Sequence, residues 1–309
     1  MEKGGCCFKK VEGVMKEQKI QLSDQTGLNL YIFDDVKQPA KGVVQIVHGM
    51  QESMATYFEF AKILNENGYY AVGTDLRAHG KTAKTLDEIG TCHEDMFCNN
   101  VKDQIMLSLK IKKECSLPLY LFAHSYGSFL GQRIIQKTDI FDKVILSGSA
   151  YMKKPLISFG HIVASLFCAF GGAHKKAKLI EAMSFKNYQK QFKEGSWITS
   201  DEVKAKEFYD NKFNALPFEN AFYKDMFKNQ LKLYKKEDMK KIGNSPLFLI
   251  SGELDPIGEN TKSIKKLYNT YKNYNVNVDL KLYPECRHGL VQEKNREQVI
   301  RDILDFIKK

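Results

Sequence analysis

The chain has 309 residues, 43% of them hydrophobic and none in a long polar tract, so it can bury a core and general disorder is excluded. This length suits one α/β core with an insertion and is too short for two large independent domains. Seven scattered cysteines without a Cys-x-x-Cys pair point to reduced thiols, and Cys92-His93 with Cys98 form too small a set for a metal site.

The amino terminus, Met1-Glu-Lys-Gly-Gly-Cys-Cys-Phe-Lys-Lys, lacks the apolar stretch of a secretory signal, so a cytoplasmic enzyme is the expectation. The pair Cys6-Cys7 is open to acylation in a eukaryotic host, but nothing beside it strengthens that idea. Residues 19–23 and 28–34 read as a hairpin joined at Thr26-Gly27. Apolar strands then alternate with helical patterns: strand 43–47, helix near 54–65, strand 70–74, helix near 100–113, strand 119–123, helix 128–137 and strand 143–146. After an interruption the alternation resumes with strand 247–250, helix 261–271, strand 279–282 and helix 295–307. The expected class is α/β, with a mostly parallel sheet covered by helices on both faces and the leading hairpin as its antiparallel edge.

The interruption, residues 151–241, has no strand pattern and reads as an inserted helical cap, leaving 1–150 and 242–309 as the core. Its apolar run 162–170 would be about 13 Å long as helix, short of the roughly 20 residues a membrane span needs. Two readings stand side by side and do not exclude each other: an ordinary buried cap helix, or an acyl-chain groove or interfacial lid to which Leu166 and Phe170 contribute. Charge is concentrated in the same region. Residues 151–245 hold 18 Lys and 10 Asp or Glu, a surplus of eight within the total of +10. That surplus serves solubility, or it draws anionic lipid surfaces to the cap through Lys175, Lys176, Lys178, Lys235 and Lys236. No nucleic-acid motif accompanies it.

The chemistry gathers at strand ends. Leu119-Tyr-Leu-Phe-Ala-His-Ser-Tyr-Gly127 is an apolar strand running into a tight turn, with Ala123 and Gly127 as the small residues two places either side of Ser125. Such a turn projects the serine hydroxyl into a cleft. A nucleophilic serine needs a histidine base, an acid that orients it and N–H donors for the oxyanion. The acid is Asp255, in the Asp-Pro-x-Gly pattern after strand 247–250; Glu253 and Glu285 compete with it. The base is His288, in the loop after strand 279–282. Upstream, strand 43–47 ends in His48-Gly49-Met50, where the backbone N–H of Met50 and that of Tyr126 are the candidate oxyanion donors. His48 is expected to hold that loop by hydrogen bonds, His79 to structure its own loop, and the ring of His124 to point into the core behind the serine. His93, His161 and His174 have no acid partner in sequence.

These residues carry a resemblance to a known family. His48-Gly49, Asp75-Leu-Arg-Ala-His-Gly80 (with Ala78 where Gly is usual), His124-Ser125-Tyr126-Gly127, Gly252-Glu-Leu-Asp255-Pro-Ile-Gly258 and Tyr283-Pro-Glu-Cys-Arg-His288 resemble the monoacylglycerol lipase and lysophospholipase branch of the α/β-hydrolases, often labelled serine-aminopeptidase-like. Trp197-Ile-Thr-Ser-Asp201 is similar to the cap segment of bacterial members. The resemblance runs from about residue 20 to the end. It implies an α/β-hydrolase fold, a Ser-His-Asp acyl-enzyme mechanism without metal or organic cofactor, and a small-molecule lipid or ester substrate. A peptidase that uses Glu194, Asp201, Glu202 and Glu207 to bind a substrate amino group stays open, as does a non-catalytic ligand-binding relative of the fold.

Overall fold

The computed structural model describes residues 15–36, 39–93 and 95–309; Cys6-Cys7 lies outside them. Eight strands form one sheet in the order β1-β2-β4-β3-β5-β6-β7-β8. They are β1 (Lys16–Gln21), β2 (Gly27–Phe33), β3 (Gly42–Val47), β4 (Tyr69–Thr74), β5 (Leu119–His124), β6 (Lys143–Ser147), β7 (Leu247–Gly252) and β8 (Val278–Tyr283). Pairings β1–β2 and β2–β4 are antiparallel and the rest parallel, so the hairpin is the antiparallel edge.

The central strands are apolar at almost every position because both sheet faces are covered. Side chains alternate between faces. Val43, Val47, Leu121 and Leu249 therefore enter one core, while Val44, Ile46, Phe122 and Ile250 enter the other. Helices α1 (Phe58–Glu66), α2 (Met96–Glu114) and α3 (Tyr126–Ile134) follow β3, β4 and β5. Between β6 and β7 the chain makes α4 (Lys154–Phe167), α5 (Lys178–Glu181), α6 (Asn187–Gln189), α7 (Glu202–Asp210), α8 (Asn220–Gln230) and α9 (Lys236–Met239). Helices α10 (Lys262–Asn273) and α11 (Arg296–Lys308) complete the fold. Helix α1 with Phe60 and Leu64, and α11 with Val299 and Ile303, cover one face; α2, α3 and α10 cover the other. The insertion shares this second core through Ala164, Ile180, Phe222 and Met226.

Two expectations change. Cys92, Cys98, Cys168 and Cys286 are free thiols, but Cys115, just after α2, is disulfide-bonded. The apolar run is not an ordinary buried cap helix: Leu166 and Phe170 are 54% and 85% exposed. Helix α4 turns Ile157 and Ala164 toward the protein, while Leu166 lies on the opposite side. An apolar run does not by itself say which side of a helix is covered.

Candidate active site

Four loops at the C-terminal ends of β3, β5, β7 and β8 converge, as expected where a parallel sheet presents its strand ends. Ser125 occupies the junction of β5 and α3 with φ 52° and ψ −120°. This strained backbone is held on three sides. The Ser125 N–H donates to the Ser147 carbonyl at 3.0 Å. Its own carbonyl accepts from the Ser128 N–H at 2.8 Å and the Ser128 hydroxyl at 2.6 Å. Gly127 lets α3 cross the end of β3, since a Cβ there would lie 2.4 Å from the Val47 carbonyl oxygen. Ser125 is half-buried between fully buried neighbours, which leaves its side chain reachable.

Asp255 is fully buried, and its Oδ2 lies 3.0 Å from His288 Nδ1. Its Oδ1 accepts the Ile257 N–H at 2.8 Å. Glu253 and Glu285 are exposed and have no contact with His288 among the described residues, so Asp255 is the acid the structure brings to the ring. The other ring nitrogen, Nε2, is buried without a hydrogen-bond partner among the described residues. A buried imidazole nitrogen with nothing bonded to it is costly unless a substrate or nucleophile uses it.

The His48-Gly49 turn is built by two buried side chains. The Leu76 N–H donates to His48 Nε2 at 2.9 Å, so the proton sits on Nδ1 and is donated to the Gly49 carbonyl at 2.8 Å. Burial pushes the His48 pKa well below its ordinary value, and His79 pushes it further, so the ring stays neutral. The Gly49 N–H donates to Glu52 Oε1, which also accepts from the Tyr57 hydroxyl at 2.8 Å. Gly49 passes close to the serine: a Cβ there would stand 2.9 Å from Ser125 Cβ. Met50, the next residue, is half-buried, and Tyr126 is buried with its ring packed against Phe97 and Phe222. The next turn of this loop is tied to the insertion. Gln51, at φ 60°, donates through Nε2 to Glu181 at 2.8 Å, and its carbonyl accepts the Ala215 N–H at 2.8 Å.

Several of these groups were not legible as site residues. Glu52 is almost fully buried, and burial raises its pKa to about 7. Trp197 of the insertion stacks on the His288 ring, with centroids 5.2 Å apart and planes 26° apart, and Phe185 and Tyr188 pack around it. The segment is strapped down by Arg287 donating to the Ser196 carbonyl at 2.6 Å and the Gly289 N–H donating to the Ile198 carbonyl at 2.6 Å. His124 is buried, as expected, but its ring lies 4.6 Å from that of His288. His79 stacks on Tyr126 and bonds the Arg77 carbonyl, with burial lowering its pKa to about 4. His174, which has no acid neighbour in sequence, meets Glu219 at 3.0 Å. Among the described residues no group of three His, Cys, Asp or Glu is arranged to hold a metal ion.

The profile of the family described as Serine aminopeptidase, S33 matches residues 38–295. A search of curated proteins found no match. A highly thermostable carboxyl esterase from Bacillus coagulans, solved with glycerol, superposes with a TM-score of 0.85 at 21% identity, covering 96% of this chain and 98% of that one. A soluble variant of monoglyceride lipase from Saccharomyces cerevisiae, solved with a substrate analogue, gives 0.72 at 19% identity over 97% and 96%. An epoxide hydrolase from Vigna radiata gives 0.60 at 16% over 96% and 98%. At these identities the likeness is one of fold.

Proposed function

The chain belongs to the serine aminopeptidase S33 family of α/β-hydrolases, and on that premise we propose that it cleaves carboxylic esters by a Ser-His-Asp mechanism, with monoacylglycerols or lysophospholipids as substrates. The observation that carries this reading is the buried Asp255–His288 pair, its Nε2 unbonded, at the strand ends that also present Ser125. In this proposal residues 151–241 are the cap over a core made of 1–150 and 242–309.

Ser125 Oγ attacks the ester carbonyl carbon as its proton passes to His288 Nε2, while Asp255 fixes the proton on Nδ1 and stabilises the imidazolium. The tetrahedral oxyanion is received by the Met50 and Tyr126 backbone N–H groups, each such donor contributing roughly 3–4 kcal/mol to the transition state. Collapse breaks the bond to the leaving oxygen, which takes the proton from His288 and departs as the alcohol. Water then attacks the acyl-serine, gives its proton to His288, and the acid is released as Ser125 recovers its proton. No step calls for a metal or organic cofactor.

The ester reading is favoured over aminopeptidase action by where the cap acids lie. Asp201 caps α7 and pairs with Arg296 at 2.9 Å, Glu207 pairs with Lys204 at 2.7 Å, and Glu194 and Glu202 are exposed. Asp201 and Glu207 are thus engaged by cations of the protein itself, which leaves only Glu194 and Glu202 free to receive a substrate amino group. The test is labelling with a fluorophosphonate probe, followed by turnover of an acyl-ester chain-length series against aminoacyl amides. Wild type should label and hydrolyse the esters, and Ser125→Ala should do neither. Labelling that persists in Ser125→Ala removes the nucleophile assignment; faster cleavage of the amides than the esters removes the ester assignment; a folded wild type that never labels points to a binding role.

A further inference from the structure

Gln51 and Ala215, which lack glycine's freedom, adopt left-handed backbone and are bonded to each other. Gln51, next to the proposed oxyanion donor Met50, has φ 60°, and Ala215 in the insertion has φ 54°. The Ala215 N–H donates to the Gln51 carbonyl at 2.8 Å. A Cβ disfavours this conformation, so it persists only where surrounding contacts impose it, and such residues gather at functional sites.

The side chain of Gln51 is held by Glu181, the last residue of α5. One carboxylate oxygen, Oε1, accepts from Gln51 Nε2 at 2.8 Å, the Phe218 N–H at 2.8 Å and the Tyr223 hydroxyl at 3.0 Å. All three donors are neutral, so these contacts fix positions and do not neutralise a cation. The oxygen joins α5, residues 211–219 and α8, and Gln51 is the partner that lies outside the insertion. The same parts are tied a second time by the Ala177 N–H donating to the Phe218 carbonyl at 2.7 Å, and buried Ile180 anchors α5 in the core.

Met50 therefore stands between two fixed points. On one side the core sets the Gly49–Met50 peptide, whose carbonyl accepts from His48 Nδ1 at 2.8 Å. In a planar trans peptide the Met50 N–H then points the opposite way. The Gly49 N–H is held by Glu52, also of the core. On the other side Gln51 is held by the insertion, through Glu181 and Ala215. An oxyanion donor works only within about 2.7–3.1 Å of the developing charge, so both anchors matter.

We propose that Glu181 is a positioning residue of the reaction: by fixing Gln51 it sets the Met50 N–H for the oxyanion, and the donor is complete only while the insertion is seated on this loop. Glu181 acts through Gln51 and not on the reacting atoms. The inference rests on the ester-hydrolase reading and adds to it a residue of the insertion on which the chemical step depends.

The experiment is hydrolysis of p-nitrophenyl butyrate by the full chain, with kcat and KM measured separately and circular dichroism confirming the fold. Gln51→Ala and Glu181→Ala should each lower kcat by about tenfold or more while KM changes less than about twofold, because a misplaced donor loses transition-state and not ground-state binding. The double variant should fall no further than the worse single. The rate of fluorophosphonate labelling at Ser125, which also draws on the oxyanion donors, should follow kcat. Gln51→Glu sets two carboxylates against each other and should be as damaging; adding Glu181→Gln restores a hydrogen bond of reversed sense and should recover most of the kcat. If Glu181→Ala does not fold, Gln51→Glu with and without Glu181→Gln carries the test. A merely structural Glu181 would lower stability and leave kcat intact. Unchanged kcat in folded Gln51→Ala, losses that multiply in the double, or no recovery in the swap overturns the proposal. Wild type that neither labels nor turns over the ester ends the ester-hydrolase reading together with this inference. Wild type that does both while Gln51→Ala keeps its kcat ends this inference alone.

Discussion

Replacing Glu52 by Gln should remove a pH dependence of folding built into the His48-Gly49 loop. Glu52 is 5% exposed, and burial raises its carboxyl from an ordinary 4.5 to about 7. The bonds from Gly49, Tyr57 and Thr56 and the charge of His288 act in the other direction and do not overcome burial. Below about pH 4.5 the carboxyl is protonated in both the folded and the unfolded chain, and pH has no hold on it. Above about pH 7 the unfolded chain carries the charge in water while the folded chain must bury it. Stability is therefore lost as pH rises between those values. Each pH unit of separation is about 1.4 kcal/mol, which makes the Glu52 contribution about 3 kcal/mol less favourable at alkaline pH than at acid pH. Gln keeps an oxygen for the Gly49 N–H and the Tyr57 hydroxyl and does not ionise. Urea unfolding of wild type and Glu52→Gln across this range should show the variant gaining on wild type as pH rises. Asp75, which burial raises to about 6, titrates in both proteins and cancels in the comparison. A wild-type-minus-variant difference that stays flat from about pH 4.5 to 8 would refute the reasoning.

Ala78 takes φ 58° at the position where the resembling motif has Gly; Ala78→Gly should stabilise the fold by about 0.5–1 kcal/mol in denaturant unfolding, and a loss of stability would show that the turn is not strained. Trp197, the chain's one tryptophan, stacks on His288 with Phe185 and Tyr188 around it. His288→Ala should therefore open one face of the indole to water and shift its emission to the red; an unchanged emission spectrum would show that the two rings do not stack.

The alternation of strands and helices was legible because each apolar strand carries its own evidence of being covered on both faces. Helix starts were less so: the helix expected at 128 begins at Tyr126, directly after the strained Ser125 turn, whose carbonyl accepts from the Ser128 hydroxyl. Ser125, Asp255 and His288 could be picked out as candidates because each sits in a short local pattern at a strand end. That Asp255 and not Glu253 reaches His288 agrees with the pattern, yet the contact joins residues 33 apart and exists only once β7 and β8 are paired. Trp197 and Glu52 carry no local sign of their roles. Trp197 meets His288 only because the insertion folds back over the β8 loop, and the Glu52 carboxyl titrates near neutrality only because the chain around it excludes water. Leu166 and Phe170 mark the opposite case. Their apolar character was plain in the sequence, but which side of α4 would be covered depended on where α8 packs. Patterning is a property of neighbours along the chain; burial and protonation are set by neighbours in space.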